Sequence, residues 1–394
     1  MGGTHPKTYL YWAMLVGLMC TTGWAVLTTV CHSSASVSAS NPAAADSRST
    51  TASASTAQSP TSPVVFPGAA WAFKSPAEVG LDKAMLNQFV LLAGTRGVIV
   101  KDGYMIKTWG WQRGKFAWGS AKKPLLSTLL FFAVEEGRLS SVDDRLGDWG
   151  WQLAPDDQAM TFRHLANNVS GYARAEGPGM AWAYNDFGVS LYQNTLFTRI
   201  FASSDADAVA RHPTRLGPLQ FEDGSIFTDT ERKRFVLQTT LRDFARIGWF
   251  WLNKGNWQGK QILPQHYFDT YMQPGVPGDL PRTAAAATDY LGVGSAGGGS
   301  DHVSFGPGVY GFNWWFNANV GRSTTRLWPD APADTFQANG HFNGEVLTVI
   351  PSLGIVAAWK GEPSNPETAF QQMNTTLKAL AEAARASDTA PPSS

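Results

Sequence analysis

Cysteine is almost missing: Cys20 and Cys31 are the only two in 394 residues, and both fall in the first apolar stretch. From residue 32 onward a disulfide framework, a thiol nucleophile and a cysteine zinc site are therefore excluded. Histidine is sparse, and His5, His32, His164, His212, His266, His302 and His341 never stand at H-x-H, H-x3-H or HExxH spacing. That argues against a zinc hydrolase, and no metal or cofactor is expected. Charge is scarce as well. Only 16% of residues are charged, and 31 Lys+Arg balance 31 Asp+Glu, so the formal net charge is zero. A nucleic-acid binder, which needs a basic face, is excluded. With 43% hydrophobic and 12% aromatic residues, an acidic disordered protein is excluded too. Finally, no G-x-S-x-G elbow occurs, which argues against the α/β-hydrolase route to an activated serine.

What is present divides the chain into four parts. Tyr9 to Cys31 (YLYWAMLVGLMCTTGWAVLTTVC) is 23 residues without a charge. As a helix it would reach roughly 34 Å, enough to cross a bilayer. Lys7 precedes it and Arg48 is the next basic residue, so the start should stay cytoplasmic. Residues 1–31 thus read as a cleaved signal peptide or a membrane anchor, and both lead to export, to a periplasmic or extracellular place. Residues 32–63 are rich in Ser, Ala, Thr and Pro and read as a flexible tether. The folded domain is expected over 64–385, and residues 386–394 form a tail.

Within the domain, GVIVKDGYMIKTWGW (Gly97 to Trp111) reads as a hairpin about Asp102-Gly103, a type I′ turn signal. LSTLLFFAVEEG (Leu126 to Gly137) is a helix apolar on nearly every side, hence a buried one, ending in a glycine cap. Arg232 to Gly255 reads as a helix, Tyr310 to Asn317 as a strand, and Glu345 to Trp359 as a second hairpin about Pro351-Gly354. Asn365 to Ala384 closes the domain as an amphipathic helix. The order gives an α+β fold: an antiparallel sheet flanked by its N- and C-terminal helices, plus a mainly helical lobe. The sheet lobe would take about 75–119 and 305–385, and the helical lobe about 120–304.

The chemistry-bearing stretch is WGSAKKPLLSTLLFF. Ser120 stands where the chain enters the buried helix, and Lys123 follows at i+3, on the same face. Serine is a weak nucleophile unless a neighbouring base takes its proton. A lysine serves if it is neutral, and burial plus the positive helix end both favour the neutral amine. Pro124 is tolerated only in a first turn, so the helix should begin no earlier than about Ala121. Downstream come Trp182 and Tyr184-Asn185-Asp186, then Gly340-His341-Phe342-Asn343-Gly344-Glu345 at the entrance of the last hairpin.

Ser120/Lys123 as S-x-x-K, Tyr184 as the tyrosine of Y-x-N and Gly340–Gly344 as a K-T-G or H-x-G segment, in this order, resemble the serine β-lactamase and penicillin-binding-protein superfamily. LANNVSGY is similar to its L-L-x-H-T-S-G-L run. DFARIGWFWLNKGNWQGKQILP is similar to a helix and G-x-W-x-G-x-Q-I-L turn of its class C and esterase branch, including 6-aminohexanoate-dimer hydrolases. The resemblance spans about 70–385. It implies that Ser120 attacks a carbonyl, Lys123 acts as base, Tyr184 passes the proton to the leaving group, and water then frees the acyl group. Backbone N–H groups at Ser120 and near Glu345 would form the oxyanion hole. His341, Asn343, Gly344, Glu345, Asp186 and Trp182 would meet the substrate, Trp182 as the floor of an apolar acyl pocket.

Two departures stand out. Asp186 replaces the asparagine of Y-x-N, and a carboxylate near Lys123 favours the ammonium; either Asp186 points elsewhere or the proton is handled differently. The third segment carries one residue more than H-x-G. His164 and Asp243 read as structural, and the tryptophans as core packing. The expected activity is hydrolysis of a small-molecule ester or linear amide. A β-lactamase, a D-amino-acid or cell-wall peptidase, and a non-catalytic exported penicillin-recognising protein are the alternatives.

Overall fold

The computed structural model describes residues 64–230, 233–283, 288–295 and 305–385. The apolar start, the tether and the tail lie outside them. Among the described residues no helix is long and apolar enough to cross a membrane. In chain order the elements are α1 (Lys83–Ala93), β1 (Arg96–Lys101), β2 (Tyr104–Trp109), β3 (Phe116–Ala117), α2 (Lys123–Glu135), α3 (Phe162–Ala166), α4 (Asp186–Asn194) and α5 (Ala206–Ala210). Then follow β4 (Phe227–Thr230), β5 (Lys233–Thr239), α6 (Leu241–Leu252), β6 (Asn256–Trp257), β7 (Lys260–Gln261), α7 (Gln265–Tyr271), β8 (Tyr310–Gly311) and β9 (Trp314–Phe316). The domain closes with β10 (Phe336–Gly340), β11 (Glu345–Ile350), β12 (Ile355–Lys360) and α8 (Ala369–Arg385).

Seven strands form one antiparallel sheet in the order β2-β1-β12-β11-β10-β9-β8. The first hairpin turns where expected, with Asp102 and Gly103 both at positive φ, 51° and 85°. Every residue of β11 is buried, because both faces of the sheet are covered. Alternate side chains serve opposite layers. Ile99, Val346, Ile355 and Trp359 pack with Leu86, Phe89, Leu377 and Leu380 of α1 and α8. Val98, Leu347, Val349 and Val356 face the other way, into the cluster that holds α6 and α2. The expected α+β class, with terminal helices flanking an antiparallel sheet and a helical part between, is what the structure shows.

Three local expectations are corrected. The stretch from Arg232 is not one helix: Lys233–Thr239 is a strand paired with β3 and β4, and α6 starts only after Thr240. The Thr240 hydroxyl accepts from the Asp243 N–H at 3.2 Å, which caps the helix there. Tyr310–Asn317 is two short strands rather than one, because Phe312 and Asn313 take positive φ and turn the chain back. And helical winding begins before Ala121: a 3-10 turn covers Gly119–Lys122, and only then does α2 start, with Pro124 in its first turn.

α6 approaches the sheet so closely that its glycine is a contact. A methyl group on Gly248 would lie 2.6 Å from Val356 Cγ1 and 3.0 Å from Leu347 Cδ1. Alanine in a helix interior normally gains about 1 kcal/mol over glycine; here overpacking reverses the sign. Gly248→Ala is expected to destabilise the fold by about 1–3 kcal/mol in equilibrium denaturant unfolding. A more stable variant would contradict this packing.

Candidate active site

Trp118 fixes the entry to α2. Its indole N–H donates to the Thr239 carbonyl at 3.0 Å, and its backbone N–H to the Leu237 carbonyl at 3.0 Å. Gly119 follows at positive φ, with His341 and Glu345 filling the space a side chain would take. This brings Ser120, half-buried, to the wall of a cavity of about 630 Å3, with Lys123 in the first turn of α2 also lining it. Ser120, Lys123, Tyr184, Asp186, His341 and Asn343 all border that cavity.

Lys123 is the centre of the site. Only 3% of its side chain is exposed. Its Nζ lies 3.0 Å from Asp186 Oδ1 and 3.6 Å from the centre of the Tyr184 ring. Burial works against its charge, but Asp186 and Tyr184 outweigh it, and the ammonium is held above the ordinary lysine range. The expectation of a neutral resting amine is thereby corrected. Asp186 does not point elsewhere; it is the first residue of α4 and faces Lys123 directly. The neighbouring Asn185 cannot substitute for the missing asparagine. It is buried, its side-chain oxygen caps α4 by accepting from the Phe187 N–H, and its amide donates to the Tyr172 carbonyl at 2.7 Å.

Tyr184 is held by aromatic neighbours. Trp315 stacks on it at 6.2 Å and 22°, and Tyr310 meets it edge-on. Trp182 is fully buried behind it, 6.4 Å away, and does not border the cavity. Its ring lies against Gly306, where a methyl group would come within 2.5 Å of it, while its backbone N–H donates to the Pro281 carbonyl. The apolar wall is instead built by Trp315, Phe305, Phe370 and Leu327.

The third segment is a turn between β10 and β11 in which His341, Phe342 and Asn343 all have positive φ, 43°, 48° and 73°. The additional residue is thus absorbed by three consecutive left-handed conformations, which non-glycine residues rarely adopt. Asn343 braces the turn. Its side chain accepts from Asn339 and donates to Ser364 Oγ and to the Ala369 carbonyl at 2.6 Å. Gly344 and Glu345 do not border the cavity. Glu345 is buried, with His341 Nδ1 at 2.9 Å and Lys360 Nζ at 3.1 Å. Burial disfavours its charge, yet these two partners keep its carboxyl below the usual range. Lys360 also donates to the Ala117 carbonyl at 2.7 Å, so its ammonium joins the last strand to β3.

Gly340 is the residue that motif spacing did not single out. A methyl group there would stand 2.9 Å from the Ala121 nitrogen, 3.1 Å from the Ser120 nitrogen and 2.7 Å from Glu345 Oε2. Only a glycine lets β10 reach the start of α2. No sequence signal separates it from Gly344, because both flank the same turn. His164 and Asp243 are structural as expected. His164 completes a capping box with Thr161, and Asp243 accepts from the Glu222 and Asp223 N–H groups. Among the described residues no cluster of metal-ligating side chains occurs.

The comparisons with known proteins agree with this fold. The β-lactamase family model matches residues 94–216, the part that carries Ser120, Lys123 and Tyr184. An uncharacterized protein of Alkalihalophilus pseudofirmus is 21% identical over 273 residues, 62% of this chain and 72% of the relative. A protein described as a 6-aminohexanoate-dimer hydrolase from Bacillus anthracis shares the fold at TM-score 0.54 and 17% identity, over 78% of this chain and 83% of its own. One described as a β-lactamase from Bacteroides dorei does so at TM-score 0.55 and 15% identity, over 77% and 99%. The chain has the serine β-lactamase fold, and the resemblance to the β-lactamase and penicillin-binding-protein superfamily given by its motifs holds.

The two glycines of the turn separate experimentally. Gly340→Ala pushes β10 off the Ser120 and Ala121 amides, and an ångström of misplacement costs about a hundredfold in reactivity. Gly344→Ala meets the His341 carbonyl oxygen at 3.2 Å, a contact relieved by a shift of a few tenths of an ångström, and should change labelling far less than Gly340→Ala. Second-order rates of labelling by a serine-directed fluorophosphonate measure both. Equal effects would contradict the role given to Gly340.

Proposed function

We propose that the protein is an exported serine hydrolase that forms an acyl-enzyme on Ser120 and hydrolyses small esters or linear amides. The observation that carries this reading is the convergence of Ser120, Lys123 and Tyr184 on one cavity, with the Lys123 ammonium 3.6 Å from the centre of the phenol ring. Ser120 Oγ attacks the acyl carbon while Lys123, once neutral, receives its proton. Tyr184, in contact with Lys123, passes that proton to the leaving oxygen or nitrogen. Water then takes the leaving group's place and releases the acid. The developing oxyanion is received by the Ser120 backbone amide at the start of the helix, where the helix dipole favours negative charge; the Ala121 amide already donates to the Trp118 carbonyl.

The cavity walls support uncharged substrates with an apolar acyl chain. Trp315, Phe305, Phe370 and Leu327 form one side, and Gln193, Asn194 and Ser190 of α4 form another. An ester or linear amide is preferred to a β-lactam. The Lys-Thr-Gly cation that meets a β-lactam carboxylate has His341 in its place, held by Glu345, and Lys360 is spent on Glu345 and Ala117. A second reading, a non-catalytic exported binding protein, is favoured by the ion pair that keeps Lys123 charged.

Ser120→Ala is expected to lower hydrolysis of p-nitrophenyl butyrate at least a thousandfold and to abolish fluorophosphonate labelling, as loss of a nucleophile does. Absence of an adduct in the folded native protein would favour the binding protein, and faster turnover of nitrocefin than of the butyrate would favour the β-lactamase. From acetate to hexanoate, each added methylene should raise kcat/KM up to about fourfold. Trp315→Ala should flatten that trend; an unchanged slope would remove the aromatic wall from the acyl site.

A further inference from the structure

We infer that Asp186 is a positioning residue that fixes the charge of Lys123 and so sets the pH at which the site becomes active, making this an alkaline hydrolase. The inference rests on the reading of Ser120 as nucleophile and Lys123 as its base, and it goes beyond it by assigning the residue that stands where the family's asparagine would be.

The geometry leaves Asp186 little choice. Its backbone is fixed as the first residue of α4 by the Asn185 cap, and its Oδ1 stands 3.0 Å from a lysine nitrogen whose side chain is 3% exposed. An asparagine here would hydrogen-bond the same nitrogen in either protonation state. A carboxylate discriminates, because its attraction exists only for the ammonium. Asp186 keeps 22% of its own side chain exposed, so water supports its charge while Lys123 has none. The remaining groups around the pair do not replace it. Lys122, on the same helix turn, donates to Gln193 Oε1 at 2.6 Å. Tyr310 from β8 and Tyr192 from α4 are buried phenols held well above their ordinary range, so both stay neutral. His341 and Glu345, on the β10–β11 side, are occupied with each other. Tyr184 lies against Lys123 itself. Burial lowers the proton affinity of Lys123; Asp186 and Tyr184 together reverse that, the charge of Asp186 being the largest single attraction.

The chemical consequence follows from the proton count. The Lys123 ammonium must first give one proton to solvent, leaving a neutral amine. The Oγ–H proton of Ser120 then moves to Nζ as the Oγ–C bond forms and the carbonyl electron pair moves onto oxygen. When the bond to the leaving group breaks, that proton travels from Nζ, through Tyr184, to the departing oxygen or nitrogen. Only protein with a neutral Lys123 enters this sequence. Below the transition, activity therefore rises tenfold per pH unit, and lowering the transition by one unit raises activity tenfold at any fixed pH beneath it.

Two profiles test this: kcat/KM for p-nitrophenyl butyrate, which reports ionisations of the free enzyme, and the rate of fluorophosphonate labelling of Ser120, each against pH. For the native protein both should climb with unit slope through about pH 10, the ordinary range in which lysines lose their protons, without reaching a plateau. Asp186→Asn should move the midpoint down by at least one unit and raise both rates at pH 7 about tenfold or more, since an opposite charge at this range shifts a pKa by roughly 1–3 units. Asp186→Glu, which keeps the charge, should stay with the native profile. An unchanged midpoint in the Asn variant, or a folded Asn variant that is slower at every pH, would overturn the inference while labelling of Ser120 still upheld the hydrolase. Should the Asn variant fail to fold, the native profile decides alone: a plateau reached below about pH 10 overturns the assignment. If Ser120 is labelled in neither protein at any pH, the hydrolase reading fails and this one with it.

Discussion

Lys123 stands where water scarcely reaches, and its ammonium is tolerated only because Asp186 and Tyr184 meet it there. Desolvating a charge costs several kcal/mol, and that cost is offset only when partners are held in place. Much of the surrounding structure does this holding. α2 is buried along almost its whole length and carries Lys123 in its first turn. The Asn185 cap sets where α4 begins and hence where Asp186 projects. Trp315 in front and Trp182 behind fix the ring of Tyr184. The same contacts that offset the cost of the charge within the fold would, on the proposed mechanism, govern whether Lys123 can take the Ser120 hydroxyl proton.

The other wall of the site is a problem of close approach. β10 has to reach the first turn of α2 without a side chain in between, and Gly340 provides that. Beyond it the chain reverses through three left-handed residues, a conformation that persists only when its surroundings over-determine it. Asn343, bonded to Asn339, Ser364 and the start of α8, supplies much of that support. Glu345, clasped between His341 and Lys360, fastens the first residue of β11 to the end of β12 and, through Lys360, to β3. The third segment of this chain therefore braces the start of α2 while its His341, Phe342 and Asn343 border the cavity.

Patterns that depend on neighbours in sequence were legible beforehand. Asp102-Gly103 and Pro351-Gly354 mark their turns through backbone conformations those residues favour, and α2 announces its burial by being apolar on all sides. The serine–lysine pair was legible because i and i+3 share a face whatever the tertiary fold. What escaped depended on long-range packing. Lys233–Thr239 contains charged and apolar residues that suit a helix as well as a strand, and only its pairing with β3 and β4 decides. Trp182 and Trp315 are equally plausible pocket walls by type, yet the Trp182 ring packs against Gly306 in the core while Trp315 faces the cavity. The direction of the Asp186 side chain, and with it the charge of Lys123, was likewise open until the two helices were placed together.

The account stands or falls on a covalent bond to Ser120. The most direct measurement is peptide-mapped mass spectrometry of the full chain, acid-quenched during turnover of p-nitrophenyl butyrate. The account predicts a single butyryl adduct on the peptide containing Ser120, present in the native protein and missing in Ser120→Ala. A butyryl group found on another side chain, or hydrolysis of the ester with no acylated peptide in protein that survives removal of the serine, would contradict it.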